Sequence, residues 1–337
     1  MRSYYLGGSF PKTRLRRLRM TAWNRALHAE TVLTTHDLVW PIFIRTTEGE
    51  PWIQTLPNVK RFTIQELLPA AKEALALGIQ AIALFPHTDP ALKNETGSEA
   101  WNPANLVCQA IRVLKESCPS LGVIADVALD PYTSHGHDGI LVQEKVDNDV
   151  TLEALKKQAL TLAQAGVDAL APSDMMDGRI SVLRETLDAS GFHELPLFSY
   201  SAKYASNLYA PFREAAGSAS CLGMAGKETY QMNPSNSKEA LRELALDVAE
   251  GADALIVKPG TFYLDIIKEA AETFPLPIHA YHVSGEYSML KAAAENGYLS
   301  YEKVLLENLL AFKRAGAAVI WTYGALDAAR LIQLQKH

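Results

Sequence analysis

Residues 252–260 read ADALIVKPG, an apolar run that ends in a lysine, Lys258. Its apolar residues do not alternate with polar ones. A strand of that kind is covered on both faces, as in a parallel sheet packed under helices. The run before it, LPLFSYSAK (195–203), also ends in a lysine, and LPIHAYHVS (276–284) follows. Five more runs of the same type lie outward of these: LVWPIFIR (38–45), IQAIALFP (79–86), LGVIADVAL (121–129), VDALAPSD (167–174) and AAVIWTYG (317–324). Between them come helical patterns such as IQELLPAAKEALALG, LEALKKQALTLAQAG, SKEALRELALDVAEG and YEKVLLENLLAFKRAG. Several close on glycine just before the next strand, where a helix C-cap wants one. Alternation of strand and helix means an α/β fold. Eight units predict a (β/α)8 TIM barrel. A doubly wound sheet fits less well, because no glycine-rich phosphate loop follows the first strand.

The chain has 337 residues and is 48% hydrophobic, enough for a full core. Its net charge of −6 argues against non-specific nucleic-acid binding. No apolar run approaches the ~20 residues of a membrane helix, and the start lacks the apolar segment of a signal peptide. Cys108, Cys118 and Cys221 have neither pairing nor metal spacing, so a reducing, cytoplasmic setting is expected.

Two segments exceed a minimal barrel. Residues 1–30 hold seven basic residues (Arg2, Lys12, Arg14, Arg16, Arg17, Arg19, Arg25) before the first acid, Glu30. That composition suits a transit peptide or an arm embracing a neighbouring subunit. Residues 31–337 form the expected barrel. Within it, 204–236 is a long polar stretch, read as an active-site lid, that leaves directly from Lys203.

In a barrel the strand ends converge on one mouth. Strand three brings Asp126 there, strand four Ser173 and Asp174, and strand five Tyr200, Ser201 and Lys203. Strand six brings Lys258, strand seven Tyr281, His282 and Ser284, and strand eight Thr322 and Tyr323. An exposed lysine has a pKa of about 10.4 and is no nucleophile at neutral pH. Burial and a second lysine nearby disfavour the ammonium and free an amine for imine formation with a carbonyl. A single lysine at a strand end reads equally well as a snorkelling side chain. Two on consecutive strands point to chemistry.

The runs DVALDPYTSHGHDG, APSDMMDGR, SYSAKYAS, YAPFREAAGS, TYQMNPSN, EGADALIVKPGTFYLDI, YHVSGEY and AFKRAGA together resemble the porphobilinogen synthases, or 5-aminolevulinate dehydratases. The resemblance covers residues 12 to about 325. It implies a barrel that condenses two 5-aminolevulinate molecules into porphobilinogen with loss of two waters. Lys258 is then expected to hold the P-side substrate as an imine and Lys203 the A-side one, with Asp126 near the substrate amine. Arg213, Lys227 and Gln231 match A-side carboxylate ligands, and Ser284 and Tyr323 match P-side ones. Ser173 joins the expected substrate-binding set. Lys227 stands where some members have arginine.

The resemblance also bears on metals and assembly. Zinc-type members carry three cysteines where this chain has Ala128, Asp130 and Asp138, so no active-site zinc is expected. Asp130 and Asp138 suit Mg2+ or a monovalent ion, or pairing with basic groups. His135 and His137 form an H-x-H pair without a third good ligand. Glu243 matches a glutamate that binds an allosteric Mg2+ at a subunit interface. Without the family it reads as an ordinary exposed helix acid four residues from Asp247. The RLRRLRM run favours the arm reading of residues 1–30 and a homo-octamer. A class I aldolase needs only one such lysine, a barrel kept only for assembly would lack catalytic groups, and a metal-dependent hydrolase would cluster histidines at strand ends.

Overall fold

The computed structural model describes residues 7–46, 50–218 and 226–334. Cys221 lies outside them, as does part of the expected lid. Each of the eight apolar runs forms a strand: β1 Leu38–Ile44, β2 Ala81–Pro86, β3 Gly122–Val127, β4 Ala169–Pro172, β5 Phe198–Lys203, β6 Ala254–Lys258, β7 Ile278–His282 and β8 Val319–Thr322. All neighbours pair parallel, in the order β4-β3-β2-β1-β8-β7-β6-β5. A parallel bridge between Leu170 and Leu197 brings the last strand back to the first and closes the barrel.

Side-chain direction separates two apolar layers, as the two-residue period of a strand requires. Val39, Phe43, Phe85, Ile124, Tyr200, Ile256, Tyr281 and Trp321 fill the interior. Leu38, Ile82, Val123, Leu255, Val257 and Ala280 face outward and pack with helix residues such as Leu67, Ile111, Leu244 and Leu309. Helices follow each strand, and two of them, Ser284–Glu295 and Tyr301–Ala315, follow β7. The helix C-caps behave as expected: Gly78 and Gly316 have φ of 84° and 112°, where a side chain would be strained. A two-residue strand, Arg61–Phe62, pairs with β1 at Phe43 and Ile44.

One pairing is irregular. Ser199 lies opposite Leu255, yet Ala202 lies opposite Val257, so Tyr200 and Ser201 together face Ile256. Lys203 then falls opposite Lys258.

The lid leaves β5 through a 3-10 turn, Asn207–Tyr209, and a short helix, Ala210–Ala216. Beyond the gap in the described residues it rejoins the barrel, with Met232 bridging Tyr204. The N-terminal segment, through Val32, is a separate compact unit. Its 3-10 helix Leu15–Arg19 and helix Ala22–Leu27 bury none of their residues, and Phe10, Leu15, Trp23 and Leu27 are exposed.

Candidate active site

Lys258 closes β6 with its side chain turned into the barrel. It is 4% exposed, and its ammonium position lies 4.5–5.2 Å from the ring centres of Tyr281, Phe212, Tyr200 and Tyr209. Burial, and then the charge of Lys203, push its pKa down to about 7, with Asp126 acting in the opposite sense. A buried lysine shifted this far is a free amine for a large part of the time at neutral pH.

Lys203 is equally buried. Its Nζ lies 3.3 Å from Asp138 Oδ1 and donates to the carbonyl oxygen of Ser173. Asp138 Oδ2 in turn accepts from Lys227 at 2.7 Å and from the Tyr230 hydroxyl at 3.0 Å. Asp130 reaches Lys227 at 3.2 Å. Burial opposes ionisation of Asp138, but Lys203 and Lys227 hold it well below the usual carboxylate range. Against its own burial, Lys227 is held above the ordinary lysine value by Asp130 and Asp138.

Asp126, at the end of β3, is raised to about 7, chiefly by burial, with Lys203 pulling the other way. Its Oδ1 has no hydrogen-bond partner, nor do Gln231 Oε1 and the Tyr200 hydroxyl. Buried polar atoms are normally satisfied, so three orphans around one lysine pair mark where a polar ligand would bond.

The structure therefore brings together most of the expected set. Ser173, Lys203, Arg213, Lys227, Gln231 and Lys258 line one cavity with Asp130 and Asp138. That cavity is only about 20 Å³, space for about one water. Phe212 closes it, packed against Phe43 and Phe85. Ser284 and Tyr323 are not on its wall. Ser284 Oγ accepts from the Phe212 amide at 3.0 Å and donates to Leu208 O at 3.2 Å, while the Tyr323 hydroxyl lies 3.3 Å from that of Tyr281.

The metal candidates behave differently from one another. Asp130 and Asp138 are occupied by the Lys227 and Lys203 ammonium groups, the pairing alternative, and this arrangement does not suit a divalent cation. No group of three or more His, Cys, Asp or Glu able to hold a metal occurs among the described residues. His137 Nδ1 instead lies 3.1 Å from the Tyr230 hydroxyl. Glu243 is half-buried on the helix Lys238–Ala249 beside a cavity of 590 Å³ that Asp177 and Glu239 also line. Burial raises its pKa, helped by Asp247, Asp177 and Glu239. Its neighbour Asp247, one turn further on, is turned into the interior. It is 2% exposed and paired with Arg179 at 3.1 Å.

Sequence reasoning missed several groups. Tyr209 and Phe212 sit three apart on the lid, a spacing that places them on one helical face over Lys258. Glu286 accepts from the amides of Val283 and Thr261 at 2.8 and 2.7 Å, tying the turn after Lys258 to the start of the helix that opens with Ser284.

Comparison with known proteins agrees with this geometry. Residues 12–331 match the family model described as delta-aminolevulinic acid dehydratase. The delta-aminolevulinic acid dehydratase of Bradyrhizobium diazoefficiens is 50% identical over 323 residues, covering 96% of this chain and 91% of that protein. The Rhodobacter capsulatus enzyme of the same name is 48% identical, with 96% and 97% covered. The delta-aminolevulinic acid dehydratase of Toxoplasma gondii, solved in complex with the reaction product porphobilinogen, superposes with a TM-score of 0.93 at 47% identity, covering 94% of this chain and 91% of that one. A buried lysine pair at one barrel mouth and near-complete matches of half-identical sequence converge: the chain belongs to the delta-aminolevulinic acid dehydratase family.

Proposed function

We propose that the chain is a lyase that condenses two 5-aminolevulinate molecules into porphobilinogen, an early step of tetrapyrrole synthesis, through two lysine imines. The observation that carries this reading is the placement of Lys203 and Lys258 opposite each other on adjacent strands, both buried. Each amine adds to a substrate ketone and loses one water. Ring closure then returns both lysine amines, so the overall loss is two waters. An aldolase would need only one of these amines.

Lys258 is the better nucleophile as it stands, because its amine is already partly free. Lys203 is held between Asp138 and the carbonyl oxygen of Ser173, contacts that it must release to react. Asp126, poised near neutrality with an unpartnered oxygen, is placed to accept the substrate ammonium or to take a proton released at imine formation. Arg213, Lys227 and Gln231 supply carboxylate ligands from the lid side, the arginine as a bidentate fork. For Ser284 and Tyr323 to bind a P-side carboxylate, the Phe212–Leu208 stretch must lift from Ser284. Lid opening is also required because the closed cavity has no room for substrate.

Three further readings accompany the reaction. The exposed apolar residues of the N-terminal unit support its use in subunit contact, and we expect a homo-octamer. The acidic surroundings of Glu243 support Mg2+ bound there mostly through water. The unpaired, buried Cys108 and Cys118 support a reducing, cytoplasmic setting. No helix among the described residues is long and apolar enough to cross a membrane.

A colour assay for pyrrole formed from 5-aminolevulinate, with and without EDTA and Mg2+, tests the function directly. Pyrrole is expected, with activity surviving zinc-selective chelation. Absence of pyrrole under all conditions would refute the reading.

A further inference from the structure

Regular alternation along β5 would turn Lys203 the wrong way. Phe198 packs with the interior cluster, and Tyr200 belongs to it. Counting on by twos, residue 202 should also point inward and residue 203 outward, among the helices. Ala202 instead belongs to the outer layer, and Lys203 lines the cavity. The parity changes where Tyr200 and Ser201 together oppose Ile256. On β6 there is no such break. Leu255 and Val257 point out, Ile256 points in, and Lys258 follows in phase. One extra residue in β5 is thus what makes the two lysines face the same space.

A bulge leaves ladder groups unpaired and bends its strand, so something must hold it. Here the outer side carries a fully buried ionic group. Arg179 Nη2 donates to Tyr200 O at 3.1 Å and to Ser199 Oγ at 2.9 Å, both at the bulge. The same nitrogen pairs with Asp247 Oδ2 at 3.1 Å, and Ser199 Oγ donates to that oxygen at 2.6 Å. Arg179 and Asp247 are each 2% exposed and come from helices on either side of β5.

We propose that Arg179, braced by Asp247, is a positioning residue that fixes the β5 bulge and thereby turns Lys203 into the active site. It touches no substrate and acts only through strand register. The proposal rests on the reading of Lys203 as an imine-forming residue.

The test compares wild type, Arg179→Met, Arg179→Lys and Ser199→Ala. Borohydride trapping of 5-aminolevulinate at Lys258 is followed against pH alongside pyrrole formation. Lys203, Asp126, Asp130 and Asp138 surround Lys258, with Arg213 and Lys227 on the same cavity wall. Arg179→Met is expected to lower turnover about a hundredfold, the cost of misplacing a reacting group by about an ångström, while Lys258 is still trapped. The pH midpoint of trapping should move upward, because the Lys203 ammonium no longer depresses it. A mere loss of stability would not move that midpoint. Arg179→Lys should rescue only in part, since it keeps the charge but loses the second guanidinium branch, whose Nη1 reaches Met176 O at 3.3 Å and Asp247 Oδ1 at 3.5 Å.

If Arg179→Met does not fold, Ser199→Ala removes one contact without removing a charge. It should then show the same upward shift to a smaller degree. Unchanged turnover and an unchanged midpoint in the folded variants would overturn the proposal. Faster amide exchange of Tyr200–Lys203 in Arg179→Met, expected here, reports on the bulge independently of the chemistry. A wild type that forms no pyrrole would refute the assigned reaction instead.

Discussion

The guanidinium of Arg61 donates to the carbonyl oxygen of Ala215 at 2.8 Å, and its second branch donates to Glu214 O at the same distance. These carbonyls end the lid helix, where positive charge is favoured, and Glu214 O also accepts from the amide of the cap residue Gly217 at 3.1 Å. Lys93 adds a bond to Gly217 O, and the Glu214 carboxylate accepts from the amide of Gln54. The strand beside β1 thus grips the segment that carries Phe212 and Arg213. Replacing Arg61 with alanine should loosen the lid, raising KM about tenfold, as expected for losing a charged hydrogen-bond group. Trapping at Lys258 should persist. Steady-state kinetics with amide exchange over residues 210–217 checks this, and an unchanged KM with unchanged exchange would remove the latch role.

Borohydride with 5-aminolevulinate should label Lys258, and Lys258→Ala should abolish turnover. Lys203→Ala should abolish turnover as well but leave P-side trapping at Lys258 largely intact. Peptide mass mapping reads the result. Label on neither lysine would contradict the imine mechanism.

The pH dependence of that trapping follows from the sign of the Lys258 shift. With its pKa lowered to about 7, chiefly by burial and then by Lys203, the amine is free above that value and protonated below it. Trapping should therefore fall as pH drops through about 7 and level off above it. In Lys203→Met the like charge is gone, so the midpoint should rise. A midpoint near that of an exposed lysine in the wild type would show that the amine is not desolvated in solution.

Lys227 bridges Asp130 and Asp138 in a buried cluster. Removing one partner of a buried ion pair typically costs ~3–5 kcal/mol, because the other charge is left uncompensated. Lys227→Met should lose stability on that scale in urea unfolding. Adding Asp130→Asn should recover part of it. Independent, additive losses in the double variant would show that the two side chains do not act as a pair.

Mg2+ should lower KM and favour the larger assembly, since a ligand that binds one state stabilises it by mass action. Glu243→Ala should lose this response and keep basal activity. Sedimentation velocity with and without Mg2+ decides, and a mutant stimulated as strongly as the wild type would end the allosteric reading.

The barrel was legible because each strand is an apolar run too short for a helix and closed by turn residues. Lys203 and Lys258 stood out because charge is rare at the end of such runs. What stayed hidden depends on register and long-range pairing. Nothing in SYSAK announces that Tyr200 and Ser201 share one partner on β6. Nothing in the helix around Asp247 announces its burial, which its partner 68 residues away, Arg179, explains. Asp130 and Asp138 could equally have been metal ligands on paper. Their ammonium partner comes from the lid, whose path no local pattern specifies. Ser284 was found by resemblance, but its tie to the lid backbone at Leu208 and Phe212 depends on how the lid packs.

The ionic cluster at the mouth has a consequence for what the enzyme will accept. Lys203, Lys227 and Lys258 face Asp126, Asp130 and Asp138, three potential cations against three potential anions. A proton passed between Lys258 and Asp126 leaves that sum at zero. Arg213, half-exposed on the same wall, adds a positive charge that solvent can screen. A low-dielectric chamber whose six inner lysine and aspartate charges cancel favours guests that are themselves neutral overall. 5-Aminolevulinate, with one ammonium and one carboxylate, adds no net charge on entry. A keto-acid of the same length without the amine would bring its anion without the ammonium that balances it within the same molecule, and would leave Asp126 Oδ1 without a partner.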